Sequence, residues 1–344
     1  MKTFMYFPAF VALIFGGCNQ ANEVVEQRSP AIEVTFSHLP RLEEGEGHYQ
    51  LWARFVIFNK GAGTDSPQHD STAESLGEFN VSEDGKTLIG PGGVPVRFEI
   101  PADDNPQLID DIIVTIQPET HHADNPASDA EPGPAFLGGK VYGSADIGVA
   151  DLDESYSHAL GISYANVAGV FSLMAPTSPG DSASGVWFVD GQTPLLTQGL
   201  RNLPAPPAGW VYEGWAIPPI VEIIPDQNDA VGIAYSTGRF LRADTSDFDG
   251  AGPNSGSAPG LNFPGQDFII HAPGGPPAAA DLRGWSFRIT LEPEEDNSPN
   301  PFCLTILTTR PDQVPHPLMH SIPMENIAGT AFPRMRVTIN RSGR

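Results

Sequence analysis

Tyr49-Gln50-Leu51-Trp52 and Tyr212-Glu213-Gly214-Trp215 are the two stretches whose reading decides the fold. Each follows a Leu-Pro pair, Leu39-Pro40 or Leu203-Pro204, and a glycine-bearing bend at Gly45 and Gly47 or at Gly209. Each precedes a small-Gly-charged-Phe step, Ser75-Leu76-Gly77-Glu78-Phe79 and then Ser236-Thr237-Gly238-Arg239-Phe240. Further on, each copy closes a run with a Pro-Glu stop, Thr115-Ile116-Gln117-Pro118-Glu119 and Thr290-Leu291-Glu292-Pro293-Glu294. Asn166-Val167-Ala168-Gly169-Val170-Phe171 is echoed in turn by Asn326-Ile327-Ala328-Gly329-Thr330-Ala331-Phe332. Repetition of these signatures in one order predicts a tandem duplication of one β domain.

The spacing of apolar residues supports strands and not helices. Ile32-Glu33-Val34-Thr35-Phe36 alternates as a half-buried strand does. Tyr49 to Phe58, Val94 to Ile100, Ile112 to Ile116, Phe136 to Tyr142 and Val167 to Met174 read as further strands, with the nearly unbroken apolar run at 112–116 central. Residues 60–74 and 117–135 read as loops. In the second copy, strands are expected at Gly185–Phe188, Trp210–Ile217, Ile233–Leu241, Trp285–Leu291, Phe302–Thr308 and Met335–Ile339, with a loop at 243–265. No amphipathic helix beyond about two turns is apparent. The expected fold is all-β: two tandem β-sandwich-like domains at 31–174 and 184–344, joined by a linker at 175–183.

Composition agrees. With 36 Gly and 35 Pro in 344 residues and only 17% charged residues, many turns and short strands are favoured. The net charge of -24 repels phosphates, which argues against nucleic acid as a partner. Lysine occurs only at Lys2, Lys60, Lys86 and Lys140.

The first 18 residues read as a targeting segment: Lys2, an apolar stretch from Met5 to Phe15, then Gly16-Gly17-Cys18. The apolar run is too short for a stable transmembrane span. With cysteine at the cleavage position it resembles a bacterial lipoprotein signal, which implies lipidation of Cys18, residues 19–30 as a tether and the membrane as a partner through the lipid. An ordinary secretory signal is the alternative. Cys303 is the only other cysteine. It lies in the apolar run Phe302 to Leu307, where it reads as a small core residue.

The Tyr-x-x-Trp strand, the small-Gly-x-Phe step and the Thr-Ile-x-Pro-Glu stop together resemble the C-terminal extracytoplasmic domain of anti-sigma-K-type anti-sigma factors. The resemblance covers about 31–174 and 184–342. It implies an envelope-facing β domain that senses or binds. Such factors also carry a cytoplasmic sigma-binding helical segment and a transmembrane helix, and the sequence contains neither pattern.

Candidate chemistry is sparse. Gly180-Asp181-Ser182-Ala183-Ser184-Gly185 resembles the nucleophile segment of trypsin-like proteases, but no matching histidine context precedes it. His121-His122-Ala123-Asp124 offers nitrogen and oxygen ligands without a third at a telling spacing. His158 and His316 stand in similar settings, pointing to a structural role. The most site-like stretch is Asp244-Thr245-Ser246-Asp247-Phe248-Asp249-Gly250. Asp244, Asp247 and Asp249 could wrap Ca2+, with Gly250 allowing the turn, or form a solvated acidic loop; the EF-hand spacing is not met. The expected function is that of a non-catalytic cell-envelope lipoprotein binding an envelope protein or small ligand, sensing, or serving envelope structure. The alternative is an extracytoplasmic hydrolase with a carboxylate pair between the domains.

Overall fold

A computed structural model describes residues 32–43, 46–59, 68–101, 104–117, 132–178, 183–192, 194–219, 234–271, 275–276, 280–294, 298–309 and 321–342. Cys18, the tether at 19–30, His121, His122, Asp124, Asp181, Ser182 and His316 lie outside the described residues.

The fold is all-β. The first half carries β1 (Ile32–Ser37), β2 (His48–Asn59), β3 (Gln68–Val81), β4 (Leu88–Ile89), β5 (Ile109–Gln117), β6 (Ala135–Lys140), β7 (Tyr142–Gly143), β8 (Ile147–Leu152) and β9 (Ala168–Leu173). The second carries β10 (Gly185–Trp187), β11 (Val189–Gln192), β12 (Leu195–Gln198), β13 (Leu200–Arg201), β14 (Trp210–Ile217) and β15 (Tyr235–Phe240). It continues through β16 (Gly265–Asp267), β17 (Ser286–Pro293), β18 (Leu304–Thr309), β19 (Ile322–Asn326) and β20 (Arg334–Asn340). Among the described residues the longest α-helix is the single turn Ala328–Ala331, and no helix is long and apolar enough to cross a membrane.

Register makes the repetition concrete. Tyr49 faces Phe79 and Trp52 faces Ser75, with a bulge between Leu51 and Trp52. Tyr212 likewise faces Phe240 and Trp215 faces Ser236, with a bulge in the same interval. On the other side, Gln50 pairs with Thr115 and Glu213 with Thr290. A second bulge falls just before Thr115 and again just before Thr290. Bulges sharpen local twist, so the two halves bend at the same places. Tyr49, Trp52, Phe79, Tyr212, Trp215 and Phe240 are all buried. The Tyr–Phe rings lie 5.4 Å apart in one half and 5.7 Å in the other. Aromatic pairs at such spacing add to the large area each ring buries.

The closing strands are exchanged between the halves. Gly138 of β6 bridges Asp153 just after β8, as Thr308 of β18 pairs with Glu325 of β19. β8 and β19 are therefore equivalent, yet β8 pairs with β20 and β19 with β9. Each half's last strand completes the other half. The first half's four-stranded sheet runs β1-β20-β8-β7, and β9 sits inside the nine-stranded sheet of the second. The expected boundaries at 31–174 and 184–344 change accordingly. Residues 175–183 connect hydrogen-bonded neighbours, since Val186 pairs with Leu173, and do not join two separate sheets. Local periodicity reports that a segment is a strand but not which strand it meets.

Other local expectations are corrected. The echo between Phe171 and Phe332 is not an equivalence, because Phe171 lies within β9 while Phe332 follows the short helix. Residues 68–74 belong to β3 and are not loop; their polarity suits a strand with one lightly covered edge. Val94–Ile100 forms no ladder. Pro95 lacks an N–H, and the segment is held by an isolated bridge from Ile89 to Pro95 while Phe98 and Ile100 pack inward. Cys303 is free, half-buried and packed against the core. Burial, with the nearby Glu292 charge second, pushes its thiol well above the usual range.

Candidate functional site

The repeated polar groups serve the scaffold. Tyr49 OH donates to the Pro40 carbonyl at 3.2 Å, and Tyr212 OH to the Pro204 carbonyl at 3.0 Å. Trp52 Nε1 donates to Thr115 Oγ1, and Trp215 Nε1 to Thr290 Oγ1, both at 2.9 Å. Burying an indole or phenol without such a partner is costly, so these residues need no ligand to explain them. Positions where the halves differ are more informative.

The clearest difference surrounds Asp111. This residue lies in the central strand β5, opposite Arg54 of β2, and is only 1% exposed. Its Oδ2 accepts from Arg54 Nη1 at 3.3 Å and from Tyr156 OH at 3.0 Å, and sits 2.8 Å from His158 Nδ1. Asp111 Oδ1 is buried without a hydrogen-bond partner among the described residues. Tyr156 and His158 come from the turn after β8, which Gly161 N ties to the Glu154 carbonyl. Gly138 permits their approach, since a Cβ there would stand 2.7 Å from the Tyr156 ring. Burial, reinforced by the Asp111 charge, raises the Tyr156 phenol well above its ordinary value. In the second half the register places Ile217 opposite Ser286 at the positions of Arg54 and Asp111. The charged cluster thus belongs to one repeat alone. A carboxylate on histidine Nδ1 orients the imidazole, as in general-base dyads. Reading the sequence misses this cluster, whose signal is a charged pair, Asp110-Asp111, inside an apolar strand.

The acidic loop does not gather its three carboxylates. Asp244 turns to Arg242, which donates through Nε at 2.9 Å and Nη2 at 2.7 Å. That bonding holds the Asp244 carboxyl below its ordinary range. Asp247 and Asp249 instead meet beside Gly238, where a Cβ would stand 2.5 Å from Asp247 and 2.9 Å from Asp249. Asp247 is 7% exposed and accepts from Gly265 N at 3.0 Å. Burial first, and the neighbouring Asp249 as well, push its carboxyl up to about 8. Burial thus disfavours the charged form of this carboxyl, while its Oδ2 still accepts from the backbone of Gly265. Among the described residues no three His, Cys, Asp or Glu side chains converge to hold a metal ion, and the expected Ca2+ set of Asp244, Asp247 and Asp249 is divided.

Two further buried carboxylates anchor loops. Asp267 accepts from Trp187 Nε1 at 2.7 Å and from Thr177 N at 2.9 Å. Glu292 accepts from Trp215 Nε1 at 3.1 Å and from Phe302 N at 3.0 Å, and also from the Thr290 hydroxyl. A surface groove of ≈ 310 Å³ runs between Thr35–Ser37, Asp151–Asp153 and Arg334–Arg336. Its charges neutralise one another, with Arg336 Nε 2.6 Å from Asp151 and Arg334 on Glu154.

No family model matches this chain, and no curated protein or solved structure matches it.

Proposed function

We propose that this chain is a non-catalytic lipoprotein of the bacterial cell envelope, held to the membrane through Cys18, whose β repeats bind or sense an extracytoplasmic partner as the related domain of anti-sigma factors would. The observation that carries this reading is the shared Trp–Thr bond. Trp52–Thr115 and Trp215–Thr290 have the same length and are buried, so the signature aromatics build a scaffold instead of lining a pocket. A doubled scaffold with an acidic surface suits recognition of proteins or cationic ligands.

The test is fractionation with acyl labelling. Wild-type chain is expected in the membrane fraction, resistant to a salt wash, because two or more acyl chains hold firmly where one binds marginally. Cys18→Ser is expected to be unlabelled and released. A wild-type chain that is unacylated and soluble would overturn the anchor.

One observation favours a second reading, an extracytoplasmic hydrolase: Asp111 holds His158 Nδ1 at 2.8 Å. Against it, no hydroxyl or thiol nucleophile bonds to His158 among the described residues. Ester hydrolysis lost in His158→Ala would support the enzyme.

A further inference from the structure

β1 and β10 occupy the same place in the two repeats. Each lies against an exchanged closing strand, Glu33 opposite Thr338 in one and Trp187 opposite Ser172 in the other. β10 also has an outer neighbour: Gly185, Val186 and Trp187 pair with Asp267, Gln266 and Gly265 of β16. β1 has none among the described residues and ends its sheet. The consequence shows in the side chains. Val186, Trp187 and Phe188 are buried, whereas Ile32, Val34 and Phe36 are only partly covered.

The segment after β3 does not fill the place that β16 fills. Val96 N bonds to the Leu88 carbonyl and Glu99 N to the Leu76 carbonyl, so residues 94–100 lean on β3 and β4. Among the described residues the first repeat has no strand in the place that β16 takes in the second. An edge of this length with unpaired N–H and C=O groups is a template for another strand.

We propose that the outer edge of β1 accepts an extended, basic strand of a partner protein by antiparallel β-augmentation. The internal example sets the chemistry. Apolar side chains of the incoming strand cover Ile32, Val34 and Phe36. On the opposite face, the exposed Glu33 stands where Trp187 stands over Gly265, and a lysine or arginine there forms a cross-strand ion pair. The net charge of -24 attracts such a strand and disfavours a second copy of this chain as the occupant. The proposal rests on the binding reading above, but the anchoring test and the one below succeed or fail separately.

The probe is a labelled eight-residue peptide alternating valine and lysine, titrated into the full chain at 150 mM salt. The control has the same composition in blocks, four valines then four lysines. The alternating peptide is expected to bind at least about tenfold tighter than the block peptide, and Glu33→Lys to weaken it by about tenfold, in line with reversing one cross-strand pair. Glu33 is exposed, so this variant leaves the fold intact. Amide exchange within 32–37 is expected to slow on binding. Equal binding of the two peptides would reduce the effect to charge attraction and overturn the proposal. So would protection elsewhere than β1, no binding at millimolar peptide, or dimerisation of the chain through this edge without added peptide.

Discussion

Trp52 donates its indole N–H to Thr115 Oγ1 at 2.9 Å, from a strand position opposite Ile113 and two residues past the Gln50–Thr115 pair. Trp215 and Thr290 repeat the bond, but the residues around them have changed from amides to acids. Gln50 is replaced by Glu213 and Gln117 by Glu292. Glu213 is neutralised by Arg239 at 2.8 Å, and Glu292 gives the Trp215 N–H a second acceptor. The scaffold stays the same while its charge has drifted.

That difference predicts unequal effects of equal substitutions on the two indole N–H groups. Thr115→Val strands a buried indole N–H and is expected to lower stability by about 1–3 kcal/mol. Thr290→Val leaves the Trp215 N–H bonded to Glu292, and its own cost comes from the Thr290 hydroxyl that Glu292 loses. Exchange of the two indole N–H groups, measured side by side, decides it: that of Trp52 is expected to speed up in Thr115→Val and that of Trp215 to stay protected in Thr290→Val, and equal loss of protection would mean that Glu292 does not act as the reserve acceptor.

The second repeat also supplies a control for the charged cluster in the first. Asp111→Ala removes the carboxylate facing Arg54, Tyr156 and His158, and is expected to cost about 3–5 kcal/mol, the range for breaking a buried ion pair by deleting one partner. Arg54→Ile with Asp111→Ser installs the pair found at Ile217 and Ser286. That double variant should be clearly more stable than Asp111→Ala, because it removes the guanidinium that faced Asp111 together with the carboxylate and restores a pair the other repeat already packs. A double variant as weak as the single one would mean that the cluster is not separable from its surroundings.

Gly77 and Gly238 hold the same place in β3 and β15, each with positive φ, at 142° and 103°. Alanine is strained at both. Only at Gly238 does the new Cβ also strike a carboxylate, Asp247 at 2.5 Å, whereas at Gly77 it meets the Phe98 ring at 3.4 Å. Gly77→Ala is therefore expected to cost about 1–3 kcal/mol from backbone strain, and Gly238→Ala more. Limited proteolysis should cut the 243–265 loop faster in Gly238→Ala alone.

Much of this architecture is legible in the sequence, and the reason is local. The strand Trp210–Ile217 follows from aromatic and β-branched residues between a Gly-bearing bend and a Pro pair, without reference to any other segment. The Tyr, Trp and Gly signatures recur because each fixes a register or a bulge within one hairpin. The exchange of β9 and β20 is not legible, since both candidate sheets would accept either strand and only long-range packing chooses. Likewise Asp247 and Asp249 read as a cation loop beside Asp244 until Arg242, two residues back, is seen to hold Asp244. The Asp111 cluster joins residues from positions 54 to 158, a separation that no spacing rule covers.

Asp247 gives the chain a pH dependence with a definite sign. Its folded carboxyl titrates near 8, while an unfolded aspartate titrates near 3.9. Between those values the folded state binds more protons than the unfolded one, so stability falls as pH rises. The stabilising contribution is complete below about pH 4, declines through neutrality, and is lost once the pH passes about 8. Physically, raising the pH forces a second negative charge into a buried site beside Asp249. Asp247→Asn keeps the size and offers Asp249 an N–H without ever ionising. It should flatten the pH profile across this window and melt above wild type at pH 8 to 9, with the difference vanishing or reversing near pH 4. Thermal melts of both proteins at four pH values are sufficient. A wild-type profile that rises from pH 4 to 8 through this residue, with a slope removed by Asp247→Asn, would mean that Asp247 is ionised and paired in the folded chain.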